Sequence, residues 1–392
     1  MSTLKVDGIR SNSASSDAIT LASDGTCTAN ITNRTNRNLI INGAMQVAQR
    51  GTSATSSTNG YHTVDRWGQS NGGLDEAATM AQVDVASGTT PYTLGFRKAY
   101  KVTNGNQTGG AGAGDYYRIY YFTEAQDAAT SGWNYTSNSD YITVSCWVKS
   151  SVAQNFYIEL RTQDGTAQAY VWETGSLTAN TWTKITKTIP GNTNIQIDND
   201  TAHGPGLFIH LFQGTDFTGS FTLNQWAAYN SSVRAPAATS TWYTTNDATF
   251  EITGVQLEVG SVATDFEHRS YGQELQLCNR YYYDVLGPAP ETDFGFAVGG
   301  RYNATYNFCV VNFPVQMRAV PTLESSTTTN AFYKIVGGVV DDYDTHLMSK
   351  GGLTGARIFP NAGSDDHGSN GDAVVLHANN TSACQLRFNA EL

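Results

Sequence analysis

Over residues 141–149 apolar and polar side chains alternate one for one. Ile142, Val144, Cys146 and Val148 fall on one side, Tyr141, Thr143, Ser145, Trp147 and Lys149 on the other. A period of two marks a strand with one face in a core. The phase recurs at Phe156, Ile158 and Leu160 against Tyr157, Glu159 and Arg161, and at Leu207, Ile209 and Leu211 against Phe208, His210 and Phe212. Such runs, separated by Gly, Asn, Ser and Thr turns from residue 38 to about residue 267, have the spacing of a sandwich or barrel. In FEITGVQLEV (250–259) the apolar phase runs Phe250, Ile252, then jumps to Val255, Leu257 and Val259. A one-residue slip would turn half of these side chains to solvent, so a β-bulge is expected at Thr253 and Gly254.

Residues 270–286 carry the one helical pattern. Ser270 with Gln273 three residues on fits a capping box, Tyr271, Leu275, Cys278, Tyr282 and Val285 recur at four-three spacing, and Gly287 with Pro288 stops the run. The seam is barely two heptads long. It reads either as a face packed on its own sandwich or as an oligomer interface at a subunit axis. Residues 287–392 form a second β region, with alternation at Tyr302, Ala304, Tyr306, Phe308 and Val310 and again at Leu386, Phe388, Ala390 and Leu392. Its polar loops, GGVVDDYD and NAGSDDHGSNGD, are where binding function concentrates. Residues 1–37 hold two strand-like pieces, 4–9 and 18–21, in a polar setting that cannot bury a core alone. The organisation is therefore an N-terminal docking and oligomerisation segment (1–37), a β-sandwich (38–269), a connecting helix (270–286) and a small antiparallel β domain (287–392).

Composition sharpens this to an all-β chain. Charged residues are only 15% of the 392, against roughly a quarter in ordinary globular proteins, while Thr, Tyr, Gly and Asn favour strands and turns. A net charge of −11 with no basic run argues against nucleic acid. No apolar stretch approaches the ~20 residues that span a bilayer, and MSTLKVDGIRSNS lacks the apolar core of a signal peptide. The expectation is a protein made in a cytoplasm, without membrane insertion. The five cysteines, Cys27, Cys146, Cys278, Cys309 and Cys384, are scattered without metal or redox spacing and read as small buried hydrophobes.

Sugar recognition needs flat aromatic faces beside planar hydrogen-bonding groups. Tyr116, Arg118 and Tyr120 share one side of DYYRIYYF and, with Trp172, Trp226, Trp242 and Tyr243, are the carbohydrate-binding candidates. Most large rings fill a core or a subunit interface, and that is the competing reading for each of these aromatics. Asp341, Asp342, Asp344 and His346 form one acidic cluster and Asp365, Asp366 and His367 another. Either suits a cation, or a solvated turn. No metal or cofactor is expected. Glu251, Glu258 and Glu267 sit on alternating strand positions or a following turn, and no nucleophile elbow, zinc-protease helix or phosphate loop is present, so the chain reads as a non-enzyme.

Several segments resemble a known family. NLIINGAMQVAQRGTS (38–53), YHTVDRW (61–67), YITVSCWVKSS (141–151), TWTKITKTIPG (181–191), GLFIHLF (206–212) and QLEVGSVATDFEHRSYGQELQLCNRYY (256–282) are similar, in order, to a domain of tail-fibre and related virion proteins of tailed bacteriophages. NFPVQMRAVPTLE (312–324) resembles the C-terminal domain often attached to it, and MSTLKVDGIR the start of fibre proteins in phages of marine cyanobacteria. The resemblance implies a jelly roll like that of bacterial carbohydrate-binding modules, carried on a particle. Such modules often hold calcium with carboxylates in the first and last strands. The corresponding stretches here, Asn42-Gly43-Ala44-Met45 and Ile252-Thr253-Gly254-Val255, have none, so calcium is not expected there.

The expected function is thus that of a virion structural protein, a tail fibre or adhesin attaching to host-surface glycan. The alternative is a head-mounted fibre, decoration or other tail protein whose role is assembly. Low-charge β domains, a coreless N-terminal piece and an apolar helical seam leave surface that one chain cannot cover. A homotrimer is expected, with Tyr271, Leu275, Cys278, Tyr282 and Val285 at its axis and residues 1–37 docking on other virion proteins.

Overall fold

The structure, a computed structural model, describes residues 6–12, 17–21, 23, 27–29, 36–287, 293–303, 306–361, 367–379 and 384–392. Pro288, Ala304, Asp365, Asp366 and the start of the 4–9 piece lie outside the described residues. The chain is all-β, and its largest part is a jelly-roll sandwich of two antiparallel sheets. One has six strands in the order Thr183–Pro190, Tyr141–Ser150, Thr249–Val259, Lys98–Thr103, Ala78–Asp84 and Ser53–Ser56. The other has seven: Trp226–Ala228, Gln168–Ser176, Asn155–Arg161, His203–Gln213, Tyr116–Glu124, Gly68–Gly72 and Gly60–Tyr61.

Alternation fixes which faces meet. Ile142, Val144, Cys146 and Val148 of the first sheet share a core with Phe156, Ile158, Leu160, Leu207 and Ile209 of the second. The bulge lies where the apolar phase jumps. Ser145 stands opposite Gln256 but Trp147 opposite Thr253, so strand Thr249–Val259 carries one extra residue. Gly254 adopts φ +61° there, and a Cβ on it would lie 2.6 Å from the Phe96 ring, so both backbone and space demand glycine. Val255 and Leu257 return to the core, while Val259 at the strand end is exposed.

The helix is shorter than the sequence pattern implies. Ser270 caps it with both bonds of the capping box, but it spans only Tyr271–Asn279. Tyr282–Asp284 is a strand paired to Leu386–Asn389. Three consecutive tyrosines suit an extended chain beside a partner strand, and that pairing overrides the helical spacing. The seam is consequently dispersed: Cys278 is buried in the sandwich core with Leu275 packed against it, Tyr282 is a buried strand residue, Val285 packs on a different core and Tyr271 is exposed. These residues form no common face, which removes the helical seam as a subunit axis.

Tyr282–Asp284, Leu386–Asn389 and Thr322–Ser325 make a three-stranded sheet. A further sheet of seven runs Val339–Tyr343, Phe332–Val336, Ala373–Ala378, Gly295–Arg301, Asn307–Asn312, Gly355–Asn361, Thr345–Gly351. Its two edge strands are joined by Asp344 alone. A single residue reaches only a few ångströms, at most ~3.6 Å along the chain, so the sheet curls until its edges meet. Inside it lie Cys309, Val311, Phe332, Ile358 and Leu376. The phase at residues 302–310 is the reverse of a core phase: Tyr302, Tyr306 and Val310 are exposed and Phe308 half-buried. The inward phase here holds the polar Asn307 beside Cys309 and Val311, so alternation points to the wrong face. At the N-terminus Gly8–Ile9, Ile19–Leu21 and Cys27–Ala29 form a small antiparallel sheet with Ile9 and Leu21 exposed.

The sandwich and the C-terminal sheets are joined by buried charge. Glu391 is held by Arg66 and by Arg50 at 3.3 Å, with the Arg66 and Glu391 side chains 0% and 4% exposed. Arg66 stacks on Tyr281 and Arg50 on Tyr282, each 3.5 Å from the ring centroid. Arg66 also donates to the Phe122 carbonyl at 2.6 Å, and the Tyr61 hydroxyl to the Leu392 carbonyl at 2.6 Å. Removing one partner of a buried pair strands the other charge, at a cost of about 3–5 kcal/mol. Glu391→Ala is therefore expected to destabilise the chain by that order in guanidinium unfolding, and Arg66→Met combined with it to cost less than the two changes summed. Additive losses, or a loss below about 0.5 kcal/mol, would show that the pair does not couple the two parts.

Candidate functional site

The outer face of the seven-stranded sheet departs most from an ordinary solvated surface. Strand Tyr116–Glu124 sends Tyr117, Ile119 and Tyr121 into the core and Tyr116, Arg118, Tyr120 and Phe122 outward. Bulky rings lie flat on a sheet only where the neighbouring strand leaves room. A Cβ on Gly68 would fall 2.3 Å from the Tyr120 ring, on Gly72 2.7 Å from Tyr116, and on Gly206 2.8 Å from Phe122. Three glycines on the flanking strands thus seat three rings. Phe208 is buried beside this platform, its ring edge-on to Phe122 at 5.4 Å and tilted against Tyr120 at 6.3 Å.

Beside the platform is a polar line set into the same face. Glu159 and His210 lie on adjacent strands and bond at 2.9 Å, His210 meets Gln213 at 3.0 Å, and Gln213 accepts from Arg234 at 3.3 Å. If Gln213 donates its amide to His210 Nδ1, Nε2 carries the ring proton and donates to Glu159, which makes the imidazole neutral. Burial pushes the His210 pKa down, against the pull of Glu159. Glu159 is held below its ordinary value: burial works to raise it, but the His210 hydrogen bond and the Arg161 and Arg118 charges prevail. Arg161 is sandwiched between Phe208 and Tyr229, 4.0 and 4.2 Å from their centroids, and Arg234 lies 4.0 Å from that of Phe217. Arg118 Nε and Nη1, Arg161 Nε and Glu159 Oε1 are buried without a hydrogen-bond partner. The arm between Gln213 and Thr241 folds back over the far half of the face, burying Ala235 against Tyr157 and Val171. A general acid of glycoside cleavage needs a raised pKa, and Glu159 has the opposite shift.

Of the carbohydrate-binding candidates, Tyr116, Arg118 and Tyr120 come together on this face. The other four do not join them. Trp172, Trp242 and Tyr243 are buried core side chains, and Trp226 packs on Tyr170 and donates its indole N–H to the Pro190 carbonyl at 2.6 Å. Trp172 lies on the inward phase of its strand, and the other three come from segments without a periodic pattern. The outward phases of residues 156–161 and 207–212 already contained Glu159, Arg161, Phe208 and His210. Nothing in the sequence placed Phe217, Tyr229 or Arg234 over them.

The acidic cluster of the C-terminal region also separates. His346 is buried against Phe332 and Tyr343, bonded to the Ser325 and Tyr343 hydroxyls. Asp341 is buried with Lys334 and His367, Asp342 is exposed, and Asp344 caps the Asn330 amide. Among the described residues no group of three His, Cys, Asp or Glu side chains has the geometry to hold a metal. In a cleft of about 880 Å³ Arg37 meets Glu258 and Arg269 meets Glu267 and Glu274, while Asp127 stands exposed on its lining.

No family model matches the sequence, and no curated protein matches it. Solved structures with some likeness include the enzymatically active domain of tailspike protein 4 of bacteriophage CBA120, at TM-score 0.31 and 11% identity over 57% of this chain and 21% of that one. A family 11 carbohydrate-binding module of a Clostridium thermocellum cellulosomal cellulase has TM-score 0.25 and 13% identity over 55% and 98%. A putative sugar-binding protein of Bacteroides thetaiotaomicron has TM-score 0.30 and 11% identity over 57% and 100%. The chain spans about a fifth of the tailspike domain. Likeness at these scores carries no functional argument.

His346 supplies a pH test. Burial pushes its pKa from 6.5 down to about 3. The unfolded chain takes up this proton below pH ~6.5 and the folded chain does not, so stability falls as pH drops from there toward 3, by up to ~1.4 kcal/mol per unit. His346→Gln is expected to flatten that part of the stability curve. An unchanged slope between pH 6 and about 4 in denaturant titrations would refute the assignment.

Proposed function

We propose that this chain is a non-catalytic glycan-binding protein of a tailed-phage virion, holding sugar on the outer face of its seven-stranded sheet. The observation that carries the reading is the platform of Tyr116, Tyr120 and Phe122 seated on Gly72, Gly68 and Gly206. Flat, half-exposed rings beside fixed hydrogen-bonding groups suit the C–H faces and hydroxyls of pyranose sugars. The phage station rests on the sequence resemblance, and residues 1–37 are assigned to docking on other virion proteins. Tyr120→Ala is expected to weaken binding to host-envelope polysaccharide about tenfold, the effect of ~1.4 kcal/mol, without change in thermal unfolding. Incubation with the same polysaccharide should release no new reducing ends. Unaltered affinity in the variant, or cleavage products, would overturn the assignment.

A second reading, assembly, is favoured by the outer face of the C-terminal sheet. Tyr302, Tyr306, Phe308 and Phe359 form a ring cluster there beside exposed Val298 and Val310, with Tyr306 and Phe308 stacked at 5.6 Å. Exposed apolar patches of this kind mark contacts between proteins, and this face replaces the helical seam in the proposed homotrimer. Sedimentation equilibrium should show a trimer that Tyr306→Ser with Phe308→Ser dissociates. A monomer at micromolar concentration would contradict it.

A further inference from the structure

Resting on the outer-face reading above, we propose that the sugar taken there is anionic and that Arg118 receives its carboxylate or sulfate. Three guanidinium groups, Arg118, Arg161 and Arg234, stand on this face, and Arg161 faces the Glu159 carboxylate at 3.8 Å. That carboxylate is already engaged by His210. The region is thus cationic within a chain of net charge −11. Arg161 and Arg234 are held in place by ring faces and, for Arg234, by Gln213 and the Ser231 carbonyl. Arg118 is different. Its carbon Cζ lies 5.0 Å from the Phe208 centroid and 5.7 Å from that of Tyr116; Nε and Nη1 are closed off from solvent without an acceptor, so Nη2 is the edge a ligand can reach.

A charge-assisted hydrogen bond from Nη2 to a carboxylate or sulfate oxygen is roughly twice as strong as one to a neutral hydroxyl. The guanidinium projects between Tyr116 and Tyr120 on the same strand face, so a ring stacked on either tyrosine brings an acidic substituent within reach. A neutral sugar leaves the cationic donors to hydroxyls, which satisfy them less well.

The test is an array of matched oligosaccharides probed with the full chain: oligouronates beside their methyl esters, and sulfated galactans beside their desulfated forms. The acidic member of a pair is expected to bind at least tenfold more tightly, with the ester pairs reading carboxylate and the desulfated pairs sulfate. Arg118→Gln should remove the preference while leaving weak binding to the neutral member, and Arg118→Lys should keep part of it. Equal binding within every pair, or a preference that survives Arg118→Gln, overturns the anionic assignment and leaves glycan binding standing. Absence of binding to any sugar overturns the parent reading as well.

Discussion

The arrangement of this chain depends on burying one carboxylate. Glu391 lies between two arginines of the sandwich, and neither Arg66 nor Glu391 is more than marginally exposed. A solitary carboxylate in that position would cost several kcal/mol, and two cations without it more still. Arg66 reaches the site from a left-handed backbone, φ +72°, a conformation that non-glycine residues hold only where surrounding contacts enforce it. Those contacts are the Phe122 carbonyl, the Tyr281 ring and Glu391 itself. Sheet topology builds each part separately, but this cluster sets how the C-terminal strand meets the sandwich.

The same cluster touches the platform. Phe122 gives Arg66 its carbonyl from the strand that turns its ring outward, and Tyr61, bonded to the Leu392 carbonyl, meets Tyr120 edge-on at 5.5 Å. The rings are therefore fixed from below by glycines and from one end by the C-terminal residues. A pre-set surface loses less side-chain freedom on binding than a mobile one. The polar half of the face is likewise fixed, since Glu159, His210, Gln213 and Arg234 each position the next.

Much of this was legible in the chain because a period of two is unambiguous where one phase is apolar and the other polar. Residues 142–146 show it, as does the jump at Gly254. The pattern misled where a polar residue is the buried one, as at Asn307 in residues 302–310, and where one spacing suited two structures, as at Tyr282. There the partner strand decides, and it lies a hundred residues away. For the candidate site, Tyr116, Arg118 and Tyr120 followed from strand phase alone. Trp242 and Tyr243 could not be sorted from them, since a large aromatic outside any pattern looks the same buried or exposed. Arg234 reaches the face only through the fold of an arm whose sequence has no period to read.

Joining the C-terminal sheets to the sandwich at Tyr281–Tyr282 on entry and at Glu391–Leu392 on exit has a topological consequence. Entry and exit are themselves bonded, the Ala390 amide donating to the Tyr281 carbonyl at 2.7 Å, so the C-terminal sheets hang from the sandwich as one closed loop. The segment between entry and exit can therefore be lengthened, shortened or exchanged without changing the strand order of the jelly roll.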